Sequence, residues 1–202
     1  MNDAVNHQKK SKSWQLKAIL LVSILPIVAA YVAYFTGIGV PQERVNEGEL
    51  VVPAKNLKDL LPNAEGETPA FEDHSLWRLV IPVGQECDQG CQANLYTTRQ
   101  VHVRLANKAS RVERYAVNLG GAEGDEYLQG IAEQHPLLKR FAVDKAQWQQ
   151  WVQDTNIPAD FHSEPYYLLI DPLGFAMMVY GVEHEGNQLL KDIKRVLRYS
   201  PE

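Results

Sequence analysis

"SLWRLVIPVGQECDQGCQANLYTTRQ", residues 75–100, contains the only two cysteines of the chain, Cys87 and Cys91. The stretch changes character where they stand. Before them runs "SLWRLVIPV" (75–83), rich in β-formers and bounded by Pro82 and Gly84, which reads as a central strand. From Cys91 onward the residues read as a helix of four or five turns. If that helix starts near Asp88, Cys87 lies in its N-cap region and Cys91 in its first turn. Residues four apart share a helix face, so both sulfurs can point to one side. The helix N-terminus favours a thiolate, the form that attacks disulfides and binds metals. Glu86 and Asp88 oppose this, because neighbouring negative charge raises a thiol's pKa. Three readings stand at this point: a redox pair, a metal clamp or a structural staple. A staple closing so short a loop gains least from loop entropy.

Outward from this junction the periodicities extend the pattern. "VERYAVNL" (112–119) is a second strand ended by Gly120-Gly121. Residues 125–153 read as helical with a break at Pro136, and Trp148, Trp151 and Val152 share one face. "PYYLLIDPLGFAMMVYG" (165–181) is two strands joined by the turn Asp171-Pro172-Leu173-Gly174. "NQLLKDIKRVLRY" closes the chain with Leu189, Leu190, Ile193, Val196 and Leu197 at helical spacing. The order β-α-β-α-β-β-α, with cysteines at the first strand-to-helix junction, predicts an α/β, thioredoxin-like domain over residues 75–202. Residues 41–74, rich in Pro, Gly, Asn and acids, read as a linker with a short leading strand or arm around Leu50-Val51-Val52.

The N-terminus sets the compartment. Residues 18–40, "AILLVSILPIVAAYVAYFTGIGV", carry no charge. As a helix they span roughly 34 Å, enough to cross a hydrocarbon core of about 30 Å. Pro26 is compatible with a membrane helix, and Trp14, Tyr31, Tyr34 and Phe35 suit the two interfaces. The run is longer than the apolar region of a cleaved signal peptide, so one uncleaved transmembrane helix is expected. Lys9, Lys10, Lys12 and Lys17 precede it, so residues 1–17 are expected on the cytoplasmic side and everything beyond the span in the periplasm. That places a single-pass protein in the bacterial inner membrane, with its cysteines in an oxidising space. Beyond residue 40 the chain carries 16 basic and 24 acidic residues, a net of −8. That balance excludes nucleic acid as a partner, since it lacks a basic footprint.

Of six histidines, His7 is cytoplasmic, His74 precedes the first strand, His102 and His135 read as surface helix residues, and His184 sits in a loop. His162 lies three residues before Pro165, in the loop leading to "YYLLI". In thioredoxin-like folds that loop carries a cis-proline and packs against the cysteine pair. Pro165 takes the corresponding place, so His162 approaches Cys87 and Cys91 from across the site. Two thiolates and an imidazole make a soft ligand set suited to copper.

Cys-x-x-x-Cys after an apolar strand, a distant His ahead of "LIDPLG" and "YG" ending the next strand together resemble the Sco family. These are membrane-anchored, thioredoxin-fold copper chaperones for cytochrome c oxidase assembly. The resemblance covers roughly residues 70–200. "RVNEGELVVPAKNL" also resembles the Asn-x-Gly-x-Leu-x-x-Pro arm of small Sco-related assembly factors. The resemblance implies that Cys87, Cys91 and His162 are metal ligands, with copper as the metal and oxidase subunits or other assembly factors as partners. It also implies that Cys87 and Cys91 are the reacting thiols if the role is reduction of the oxidase copper site. The spacer Asp88-Gln89-Gly90 lacks the family's proline, and an ungapped alignment puts Ser163 at the histidine position. Two other functions fit the same residues. One is a general periplasmic thiol–disulfide oxidoreductase in which Cys87, the more exposed thiol, attacks and Cys91 resolves. The other is a non-catalytic assembly scaffold.

Overall fold

A computed structural model describes residues 3–36, 45–72 and 74–200, with the side chains of residues 3–13 excluded. Two compact units result, Met1–Val45 and Asn46–Glu202.

The first unit holds helix α1, Asp3–Thr36, with Pro26 inside it. Trp14–Thr36, 23 residues, is long and apolar enough to cross a membrane, and none of it is buried within the protein. It fits a single transmembrane helix. The expected end of the span, residues 37–40, lies outside the described residues.

In the second unit the strands are β1 (Glu49–Leu50), β2 (Glu65–Gly66), β3 (Trp77–Val83), β4 (Val112–Asn118), β5 (Leu138–Ala142), β6 (Tyr167–Ile170) and β7 (Ala176–Tyr180). The helices are α2 (Gln89–Arg104), α3 (Gly121–Gly130), α4 (Lys145–Val152) and α5 (Gly186–Tyr199). One seven-stranded sheet runs β1-β7-β6-β3-β4-β5-β2. β3, buried at every position, lies at its centre, parallel to β4 and antiparallel to β6. The alternation of a strand sorts its side chains by face. Leu79, Ile81 and Val83 of β3 face a core shared with α2 and α5. Val80 belongs to the opposite core, with α4 and Leu57, Leu60 and Phe71 of the arm.

β5 was not expected. The sequence predicts helix on both sides of Pro136, and instead a strand parallel to β4 stands between α3 and α4. Its residues Leu138-Lys139-Arg140-Phe141-Ala142 carry two charges in succession, which hides the period of two. Asp144 then starts α4 by accepting from the N–H groups of Ala146 and Gln147. The hairpin between β6 and β7 forms as its turn predicts. Gly174 takes φ +100, and Asp171 Oδ1 accepts from the N–H groups of Leu173 and Phe175.

Both edges of the sheet come from the arm, with β1 pairing β7 and β2 pairing β5. Between them the arm lays Leu57 and Leu60 into the core. From Asn46 onward, the stretch expected as linker and arm is therefore part of the same compact unit as residues 75–200. Its first residues are clasped. The buried carboxylate of Asp192 on α5 accepts from the N–H groups of Glu47 and Gly48 at 2.8 and 2.9 Å and from the Tyr180 hydroxyl at 3.1 Å. Gly48 is required here, since a β-carbon on it would lie 2.5 Å from the Tyr180 ring.

Candidate functional site

The sequence places Cys87 just outside α2 and Cys91 in its first turn, and the structure agrees. Asp88 is the N-cap, its Oδ1 accepting from the Cys91 N–H at 2.9 Å, an arrangement that satisfies a donor the helix itself leaves unpaired. Gln92 Nε2 donates back to the Cys87 carbonyl at 2.9 Å. Cys87 and Cys91 are joined as a disulfide, with Cα atoms 5.2 Å apart. Each is 7% exposed. The expectation that Cys87 is the more exposed thiol is therefore corrected. Burial alone does not select the attacking sulfur, because both sit at the rim of the core that α2 shares with the sheet.

Glycines let three segments converge on this loop. A β-carbon on Gly120 would strike the Gln85 nitrogen and lie 2.5 Å from the Gly84 carbonyl oxygen, so the loop after β4 presses directly on the backbone leading to Cys87. Asn118 holds that contact from beneath, accepting from the Gly120 N–H and donating to the Gly121 carbonyl. Gly90, inside the cysteine spacer, lies under Pro165, whose Cβ would be 2.8 Å from an added methyl. Proline thus packs against the spacer between the two cysteines. It does so through a trans peptide bond, however, because Val52–Pro53 is the only cis bond among the described residues.

His162 lies against Gly84, where an added β-carbon would be 2.5 Å from its Nε2. Its ring rests on Phe161, centroids 4.4 Å apart. Asp160 shapes this loop by accepting from the His162 N–H at 3.0 Å and from the Ser163 hydroxyl. These bonds hold the Asp160 carboxyl below the usual carboxylate range, the His162 backbone donor being the largest cause. His162 therefore stands against Gly84, the residue that follows β3 and precedes Cys87 by three. The structure unites Cys87 with Cys91 and does not complete the expected three-ligand set. Among the described residues no three His, Cys, Asp or Glu side chains are grouped to hold a metal. The sulfurs of a disulfide are not thiolate ligands, so a soft copper set requires reduction first.

Two other histidines differ from their sequence reading. His102 is buried, its Nε2 lying 3.1 Å from the Ala109 carbonyl oxygen and 2.8 Å from that of Val112. His184 belongs to the clasp on the arm, where its Nδ1 accepts from the Gly181 N–H and its Nε2 lies 3.1 Å from the Glu47 carbonyl oxygen. The converging glycines were not anticipated as site residues. Gly120-Gly121 ending a strand was their one visible signal.

A central β3 flanked by parallel β4 and antiparallel β6, with a disulfide at the β3–α2 junction, defines a thioredoxin-like domain. A family model described as transmembrane-like, thioredoxin-like, C-terminal domain matches residues 77–200, more than half the chain, and the chain belongs to that family. Among solved structures it is similar to copper-bound yeast Sco1 (15% identity, 62% of this chain and 80% of that one, TM-score 0.49). It is also similar to BsSco, a member of the Sco family of cytochrome c oxidase assembly proteins (13% identity, 77% and 96%, TM-score 0.49). A third is the thioredoxin domain of a thiol-disulfide oxidoreductase from Bacteroides vulgatus (18% identity, 74% and 97%, TM-score 0.48). No curated protein matches the chain.

Proposed function

We propose that this chain is a Sco-like assembly factor for cytochrome c oxidase, anchored in the bacterial inner membrane, whose Cys87–Cys91 pair acts by thiol–disulfide exchange on the oxidase copper site. In this reading residues 1–17 are cytoplasmic, 18–40 span the membrane, 41–74 form a periplasmic arm and 75–202 form the working domain. The observation that carries it is the Cys87–Cys91 disulfide at the N-terminus of α2. A helix N-terminus stabilises the thiolate released when that bond is reduced.

The exchange has two steps. In the reduced protein one thiolate attacks a partner disulfide, forming a mixed disulfide and expelling the partner's first thiolate. The second cysteine then attacks the mixed bond, closing Cys87–Cys91 and releasing the partner's second thiolate. The partner gains two electrons and takes its protons from water. An exported dithiol protein must then reduce Cys87–Cys91 for the next cycle.

Copper delivery is a second reading, favoured by one placement: the His162 imidazole over Gly84, close in sequence to Cys87. Copper here is cargo, taken up by two thiolates once the disulfide is reduced, with His162 as third ligand after its loop moves.

Two outcomes test these readings. Cys87→Ser combined with Cys91→Ser is expected to abolish oxidase assembly in cells that depend on this protein, read as oxidase activity in membranes. Undiminished activity would leave only the scaffold reading. Anaerobic Cu(I) titration of the reduced full chain is expected to saturate at one equivalent and to weaken at least about tenfold in His162→Ala. No binding at all would rule out delivery while leaving exchange intact.

A further inference from the structure

The net charge of −8 beyond residue 40 is unevenly distributed. Half of the sixteen basic residues there lie in residues 89–111 and 186–200, with one of the twenty-four acids, Asp192, which is 1% exposed. The concentration is greatest on α5. Its Leu189, Leu190, Ile193 and Leu197 are buried, and Lys191, Lys194, Arg195 and Arg198 follow at i, i+3, i+4 and i+7 on the opposite side, the spacing of a single stripe. Two further cations are tied to this helix. Arg104, at the end of α2, donates to Asn187 Oδ1 at 2.9 Å, and Arg111 donates to the Leu197 and Ser200 carbonyls at 2.9 and 3.2 Å. Lys191 pairs with Glu47 and Arg195 with Asp192. Among the described residues no acid pairs with Arg104, Lys194 or Arg198. Tyr199, next along the chain, is 79% exposed.

The chain enters the domain on this same helix. Asp192 holds the Glu47 and Gly48 N–H groups, and Lys191 holds the Glu47 carboxylate. Glu47 follows Thr36, the last residue of α1, by eleven positions, so a fully extended link reaches at most about 40 Å. A bilayer that holds α1 therefore stays within reach of α5, and contact with its surface is an intramolecular event. Anionic phospholipid attracts clustered Lys and Arg over roughly one screening length, and tyrosine suits the membrane–water interface.

We propose that the outer side of α5, with Arg104 and Arg111, docks on anionic phospholipid at the surface of the membrane that holds α1. The proposal rests on the anchored reading of α1 and is independent of the chemistry of the cysteines. Cys91 and Arg104 stand at opposite ends of α2, roughly 20 Å apart along its axis. Lipid at Arg104 thus leaves the disulfide end of that helix free for a partner protein.

The test uses the full chain in nanodiscs of phosphatidylcholine, alone or mixed with an equal part of phosphatidylglycerol. The discs are pulsed with acetic anhydride, and modification is read lysine by lysine by mass spectrometry. Lys194 is expected to react at least about three-fold more slowly in the phosphatidylglycerol discs. Lys58 and Lys145 should react equally in both, because Leu57 and Trp148 of their elements pack in the core on the other face of the sheet. Sodium chloride at about 1 M, which shortens the screening length to roughly 3 Å, should abolish the difference. Arg104→Glu combined with Arg198→Glu should return Lys194 to its phosphatidylcholine rate, with the rate of Cys87–Cys91 reduction unchanged. Equal labelling of Lys194 in both inserted samples overturns the docking and leaves the anchor intact. So does protection conferred by soluble polyglutamate alone, which would assign the face to an acidic protein. A chain that enters neither disc removes the anchor and, with it, the proposal.

Discussion

Gly120→Ala is expected to destabilise the protein by about 3 kcal/mol, at the upper end of the usual cost of overpacking. The reason is local and steric. The new methyl would meet the Gln85 nitrogen and the Gly84 carbonyl group, all backbone atoms with no rotamer to relieve them. Either β4's loop lifts or the loop carrying Cys87 moves, and in both cases the buried sulfurs become easier to reach and reduction of the disulfide quickens. Urea unfolding of the oxidised protein measures the first effect, and the rate of reduction by a small thiol measures the second. Gly130→Ala is the matched control. Nothing lies within 4 Å of a β-carbon there, so that variant should be neutral or slightly stabilised through its unfolded state. Equal stability of Gly120→Ala and wild type would remove the case for a glycine-mediated contact behind the cysteine loop.

Asp192→Ala is expected to cost about 3 to 4 kcal/mol. Its carboxylate is 1% exposed and gathers the Glu47 and Gly48 N–H groups, the Tyr180 hydroxyl and Arg195 at 3.4 Å. Removing the carboxylate leaves the Gly48 N–H buried without its acceptor and takes the Tyr180 hydroxyl's oxygen partner away. The loss is directional as well as large. The strand pairing of β1 is only two residues long, so releasing Glu47 and Gly48 frees the start of the arm. Limited proteolysis should then cut near residues 46–50 in Asp192→Ala and spare the wild type. Asp192→Asn, which keeps an acceptor oxygen without the charge, should fall between the two. An arm as protected in the alanine variant as in wild type would contradict the clasp.

The arm illustrates what the sequence conveys and what it withholds. Asn46-Glu47-Gly48 is recognisable as a pattern in the chain, yet its partner, Asp192, stands more than 140 residues away on α5. The strand–cysteine–helix junction, by contrast, is legible because every signal in it is local: a mostly apolar run, a capping Asp88 three residues before Cys91, and glycine where the chain must turn. β5 escapes notice because Lys139 and Arg140 interrupt its alternation, and it forms because parallel pairing with β4 overrides local preference. The candidate site divides the same way. That the Cys87 and Cys91 sulfurs can point to one side is legible in their spacing, whereas their joining as a disulfide is one of three readings that spacing leaves open. The seat of His162 depends on a loop bent by Asp160 and on the absence of a side chain at Gly84, neither of which spacing reveals. His102 looks solvent-facing by position in its helix. Its burial follows from the carbonyls of Ala109 and Val112, which the turn after α2 brings to it.

The proposal that Cys87 and Cys91 form a working exchange pair is tested most directly by redox equilibration of the full chain in micelles against defined glutathione and dithiothreitol buffers. Fully reversible, two-electron behaviour with a potential above about −300 mV is the result an exchange protein must give. A potential well below that value, in the range of disulfides that exported proteins keep for structure alone, would contradict it and leave the bond a staple at the head of α2.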